Sequence, residues 1–104
     1  MKVILSDTKI EKFIQSLESS TIAKVLRTID LLEMFGNSLG LPHSKKVRKN
    51  LYELRVRGKQ EVRIFYIQNR NGATLLHGFI KKTPGIPRRE LKVALQKLKT
   101  LESW

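Results

Sequence analysis

Two periods divide the apolar positions of this chain. From Asp7 onward Ile10, Phe13, Ile14 and Leu17 recur at the spacing of one helix face, with Glu11, Lys12, Gln15 and Glu18 opposite. After Ser19-Ser20-Thr21, which can supply an N-cap, Ile22, Val25, Leu26, Ile29 and Leu32 repeat the pattern up to Gly36, a residue suited to stopping a helix. The short link predicts an antiparallel helix hairpin. Residues 37–50 lack a period and carry Gly, Pro and four cations, so they read as a loop.

The period then changes to two. Tyr52, Leu54 and Val56 alternate with Glu53, Arg55 and Arg57, and Val62, Ile64 and Tyr66 alternate with Glu61, Arg63 and Phe65. Gly58-Lys59-Gln60 is the turn between these strands. A third strand, from about Thr74 to Lys81, follows the turn signal Asn69-Arg70-Asn71-Gly72 and is apolar on both faces, as an internal strand is. Leu91, Ala94, Leu95 and Leu98 mark a last helix beginning near Pro87. The fold class expected is α+β, with two N-terminal helices, an antiparallel sheet of three or four strands (the fourth at residues 2–5) and a C-terminal helix. A chain of 104 residues fits one domain, residues 1–104.

The hairpin register bears on chemistry. With the three-residue turn Val56 faces Val62, Leu54 faces Ile64 and Tyr52 faces Tyr66, so all six share one side. A two-residue turn would pair Leu54 with Arg63 and mix the faces. The favoured register sets Arg55 directly opposite Arg63, an arrangement that is destabilising by up to about 1 kcal/mol and that an anionic ligand would relieve. Glu53 and Glu61, on the same face, offer partial relief to Arg55 and Arg57.

Charge strengthens that expectation. There are 21 Lys and Arg against 9 Asp and Glu, a formal charge of +12, which points to a polyanionic or acidic partner. Residues 1–36 hold five basic and five acidic side chains, so the whole excess falls in residues 37–104. Cysteine is absent, and no apolar run approaches the roughly 20 residues of a membrane span. A soluble cytoplasmic protein is expected, with no membrane partner and no small-molecule cofactor. The acidic residues are scattered and His43 and His77 lie far apart in sequence, so no divalent-metal cluster is visible. RNA cleavage by a 2′-hydroxyl needs a base, cations around the phosphate and an acid for the leaving oxygen. A metal-free Arg/Lys site suits it, since crowding by cations favours the neutral form of a lysine.

Several segments together carry a family likeness: Leu51-Tyr52-Glu53-Leu54-Arg55, Glu61-Val62-Arg63-Ile64-Phe65-Tyr66, the run Leu75 to Thr83, and Pro87 with Glu90 and Ala94. With the upstream Leu39-Gly40-Leu41-Pro42 and the helix pair, they resemble the RelE superfamily, in its HigB-like, phage-associated branch. The resemblance implies a RelE-like fold and the toxin of a type II toxin–antitoxin system, a ribosome-dependent mRNA endonuclease that enters the ribosomal A site and stops translation. It also implies a cognate helix-turn-helix antitoxin. Carried over by position, Arg55, Arg63, Lys81 and Lys82 are the catalytic candidates, with Arg63 and Lys82 on the scissile phosphate and Arg55 or Lys81 nearer the proton transfers. Lys46 and Arg57 are supporting RNA contacts.

The chain departs from the family pattern in having no Tyr after residue 66, which leaves Phe79 or Trp104 to stack on a base, and in placing Gly85-Ile86 before Pro87. His77, Tyr52 and Tyr66 read as packing residues. The rival readings are a ParE-like inhibitor of DNA gyrase and a non-catalytic nucleic-acid-binding module.

Overall fold

The computed structural model describes residues 1–102. Its strands are β1 (Lys2–Leu5), β2 (Ser44–Arg48), β3 (Leu51–Val56), β4 (Val62–Asn69) and β5 (Gly72–Ile80); its α-helices are α1 (Thr8–Gln15), α2 (Ser19–Phe35) and α3 (Arg88–Glu102). The strands form one sheet in the order β1-β5-β4-β3-β2. The class is α+β as expected, but the sheet is five-stranded and mixed rather than antiparallel with three or four strands. β1 runs parallel to β5, and the other neighbours are antiparallel.

Helix placement also differs from the expected layout. Asp7, extended, accepts from the N–H groups of Lys9 and Ile10 at 3.1 and 3.2 Å and caps α1. The serines expected to cap α2 are its first residues instead, and Glu18 holds the cap position with no side-chain bond. Both helices lie on the sheet, α1 mainly on β5 and α2 on β3, and their buried residues join one core. The approach of α1 is close enough that a Cβ on Gly78 would lie 2.5 Å from the Phe13 ring. Gly36 ends α2 at φ +53, a conformation that glycine adopts without steric cost. No described helix is long and apolar enough to cross a membrane.

The segment read as a loop contains β2. Its pattern was hidden because an edge strand with both faces near solvent needs no alternation, and here Lys45 and Lys46 are both exposed. Ser44 is buried, and its hydroxyl shares a hydrogen bond with that of Tyr66. β2 turns into β3 through Asn50, at φ +59, where asparagine is tolerated better than most residues.

The hairpin register is as expected: Tyr52, Leu54, Arg55 and Val56 pair with Tyr66, Ile64, Arg63 and Val62. The sheet has a core on each face. Ile10, Ile14, Val25 and Leu32 pack over Leu54, Val56, Ile64, Tyr66 and Leu75, while on the other face Leu51, Phe65, Ile67, Leu76 and Phe79 pack with Ala94 of α3. A bulge in the β4–β5 pairing, between Phe65 and Tyr66, leaves Leu76 without a partner in register, so that Leu76 and His77 both lie on the α3 side. Lysine 97 ties α3 down, donating to the Leu76 carbonyl at 2.8 Å and pairing with Asp7 at 3.1 Å.

Candidate functional site

On the face that carries α3, the apolar core involves one end of β3 and β4, at Leu51, Phe65 and Ile67. The other end of the same face carries Arg55 on β3 and Arg63 on β4. Lys81 continues the ladder past β5, its N–H donating to the Glu61 carbonyl at 2.7 Å. The result is an open cleft of about 360 Å³ lined by Arg55, Arg57, Glu61, Arg63, Lys81 and Lys82. Thr83 and Pro84, from the turn after β5, close its rim. Cations from β3, β4, the turn beyond β3 and the end of β5 therefore meet in one place.

The five cations are not equivalent. Arg63 is 3% exposed. Its guanidinium donates to the Val62 carbonyl at 3.1 Å and pairs with Glu61 at 3.4 Å, while its Nε–H is buried with no partner. Arg55 is held by the buried Glu53, Nε to carboxylate 3.6 Å, beyond good hydrogen-bond length, and its Nε also lacks a hydrogen-bond acceptor. Glu53 Oε2 is likewise buried and unbonded. Charge relief thus differs from the sequence expectation in one respect: Glu61 pairs with Arg63 rather than Arg57. Arg57, Lys81 and Lys82 have no carboxylate partner among the described residues.

Such an arrangement is costly without a ligand, because like charges are crowded and buried N–H groups go unmet. It suits a phosphodiester, whose oxygens can accept several charge-assisted hydrogen bonds at once. In chemical terms the cleft offers electrostatic stabilisation of a phosphate on which charge builds up, with the ammonium groups of Lys81 and Lys82 at its mouth.

Two of the sequence expectations do not meet here. Lys46 pairs with Tyr52, so strand alternation places it on the α1–α2 side of the sheet, and it does not line the cleft. Its neighbour Lys45, in register with Glu53, occupies the arginine face instead. Phe79 is 6% exposed and packs on the Phe65 ring at 5.7 Å between centroids, so it belongs to the core and does not line the cleft. Its apolar neighbours signalled this burial in the sequence. Trp104 lies outside the described residues.

The packing readings fare better. Tyr66 is fully buried and stacks on Tyr52 at 5.4 Å. Burial pushes the Tyr66 phenol pKa up, against the lowering effect of its bonds to Ser44 and Gln68. His77 is partly buried, its Nε2 lying 3.2 Å from Glu90 Oε1, which links β5 to the first turn of α3. Among the described residues no three of His, Asp and Glu gather into a group able to hold a metal ion.

A mixed sheet with helices on both faces and a cationic cleft at its strand ends defines a small α+β protein. The chain belongs to the Gp49-like family: the family model, described as phage derived protein Gp49-like (DUF891), matches residues 12–99. This membership is consistent with a toxin of the RelE superfamily, at the level of the toxin–antitoxin family, and suggests an antitoxin as partner. No curated protein matches the chain.

Proposed function

We propose that the protein is the toxin of a type II toxin–antitoxin pair, RelE-like in fold and HigB-like in branch, and that it cleaves mRNA on the ribosome through the cleft at the strand ends. The observation that carries this reading is the meeting of Arg55, Arg57, Arg63, Lys81 and Lys82 around about 360 Å³ of open space with one carboxylate, Glu61, among the lining residues. A scaffold that only had to fold gains nothing from such crowding.

In this reading Arg63 and Lys82 hold the scissile phosphate and stabilise the charge that develops on it. Arg63 is fixed by the Val62 carbonyl and by Glu61. Lys82 is exposed and has no ion-pair partner among the described residues. Arg55, steered by Glu53, and Lys81 stand nearer the 2′-hydroxyl and the leaving 5′-oxygen, where protons are exchanged. Arg57 binds a neighbouring phosphate oxygen. A cognate helix-turn-helix antitoxin would silence the toxin.

The test is to add the purified protein to translating and non-translating extracts and map the mRNA ends. Cuts confined to the translating extract support the reading. Loss of DNA supercoiling with intact mRNA would replace it with gyrase inhibition, and RNA binding with neither effect would reduce the protein to a binding module.

A further inference from the structure

A second basic pocket lies where β2 parts from β3. β2 begins at Ser44, opposite Leu54, and the contact continues to the bond from Arg55 N–H to the His43 carbonyl at 2.8 Å. Past that bond the edge of β3 is uncovered. α2 faces the gap across a pocket of about 240 Å³ whose cations are Lys24, Arg27, Arg55 and Arg57, and none of its lining residues is acidic. Leu31, Pro42 and Val56 give it apolar walls. Lys24 reaches over the turn after β3 and donates to the Arg57 carbonyl at 3.3 Å, and Arg27 is exposed with no ion-pair partner among the described residues.

This pocket and the strand-end cleft share two residues, Arg55 and Arg57. Arg55 and Val56 are consecutive on β3, with side chains on opposite faces, and both border the pocket at the free edge of the strand. The two basic spaces therefore meet at the end of β3, where Arg55 and Arg57 border both.

We propose that the pocket between α2 and the end of β3 is a second nucleotide subsite, which takes a phosphate and base flanking the phosphodiester held in the strand-end cleft. Lys24 and Arg27 bind the phosphate, and Leu31, Pro42 and Val56 face the base. The ligand is single-stranded RNA, since a strand that bends around an edge cannot keep a paired complement alongside it. The inference rests on the reading of the cleft as an RNA site.

It is tested by fluorescence anisotropy of an oligouridylate about eight nucleotides long, a length typical of single-strand sites, titrated with the purified protein at several salt concentrations. Two variants probe the pocket, Arg27→Gln alone and Lys24→Gln with Arg27→Gln; Lys9→Gln with Lys12→Gln on α1 removes the same charge elsewhere. The double pocket variant is expected to bind about tenfold more weakly and to lower the salt slope by about 1, at roughly 0.7 per phosphate contact in a single strand. Arg27→Gln alone is expected to account for about threefold of the loss, and the α1 variant for less than about twofold, as non-specific charge effects are screened.

Pocket variants that bind as the parent does, or an α1 variant that loses as much as they do, would overturn the subsite. So would an RNA duplex that displaces the probe as well as a single strand does, or a parent protein that does not bind the probe. Binding that weakens as expected in a protein that never cuts mRNA would retain the subsite and sink the nuclease reading alone.

Discussion

Phe79 was one of two candidates for stacking on a base, and its burial against Phe65 makes it a stability residue. Phe79→Ala is expected to cost about 3–5 kcal/mol in urea unfolding, the range for emptying an aromatic core site; an unchanged midpoint would return Phe79 to the surface. Lys82, exposed and without an ion-pair partner among the described residues, behaves in the opposite way. Lys82→Met is expected to change stability by no more than about 0.5 kcal/mol while slowing cleavage about 10²–10³-fold, the loss typical of one transition-state donor. Arg63 lies between the two. Opposed to Arg55 it reads in the sequence as a residue whose removal relieves repulsion, but it is buried and bonded to Val62 and Glu61. Arg63→Ala is expected to abolish activity and also to destabilise by about 1–3 kcal/mol.

At the scale of the elements, two junctions respond to pH in opposite directions. Burial alone would raise the Asp7 carboxyl pKa, but the Lys97 ammonium and the N–H groups of Ile10 and Lys9 outweigh it and hold the carboxyl below its ordinary value of 3.8. Its contribution is present above the unfolded carboxyl's pKa and is lost as pH falls through the lower folded value. Asp7→Ala is expected to cost about 1 kcal/mol through the lost cap and to flatten stability below pH 3.8. Tyr66 is raised, so its unfolded form ionises first and stability declines as pH climbs from 10 toward the folded value. Tyr66→Phe should remove part of that decline in an unfolding series against pH. The hairpin register was legible because apolar alternation and turn length admit one pairing that keeps the faces unmixed. β2 was not, since an exposed edge with lysines on both sides carries no alternation, and β1 was visible only as a short apolar run. Leu51, Phe65 and Ile67 share the arginine face, yet strand period alone could not reveal that α3 covers only their end of it.

For the whole molecule, +12 of charge becomes specific only where the fold gathers it. The opposition of Arg55 and Arg63 followed from sequence register. The arrival of Lys81 and Lys82 beside them depends on β5 pairing with β4, and the pocket under α2 depends on where β2 begins, neither of which any local pattern encodes. Binding of single-stranded RNA to this surface is expected to weaken steeply with salt. The most direct measurement is the single-turnover rate of mRNA cleavage on purified ribosomes, compared between the parent protein and Lys82→Met. A fast cut in the ribosome-bound message by the parent, slowed about 10²–10³-fold in the equally folded variant, is the expected result. Equal rates, or no cut by the parent at any concentration, would contradict the assignment of the cleft as the place where RNA is broken.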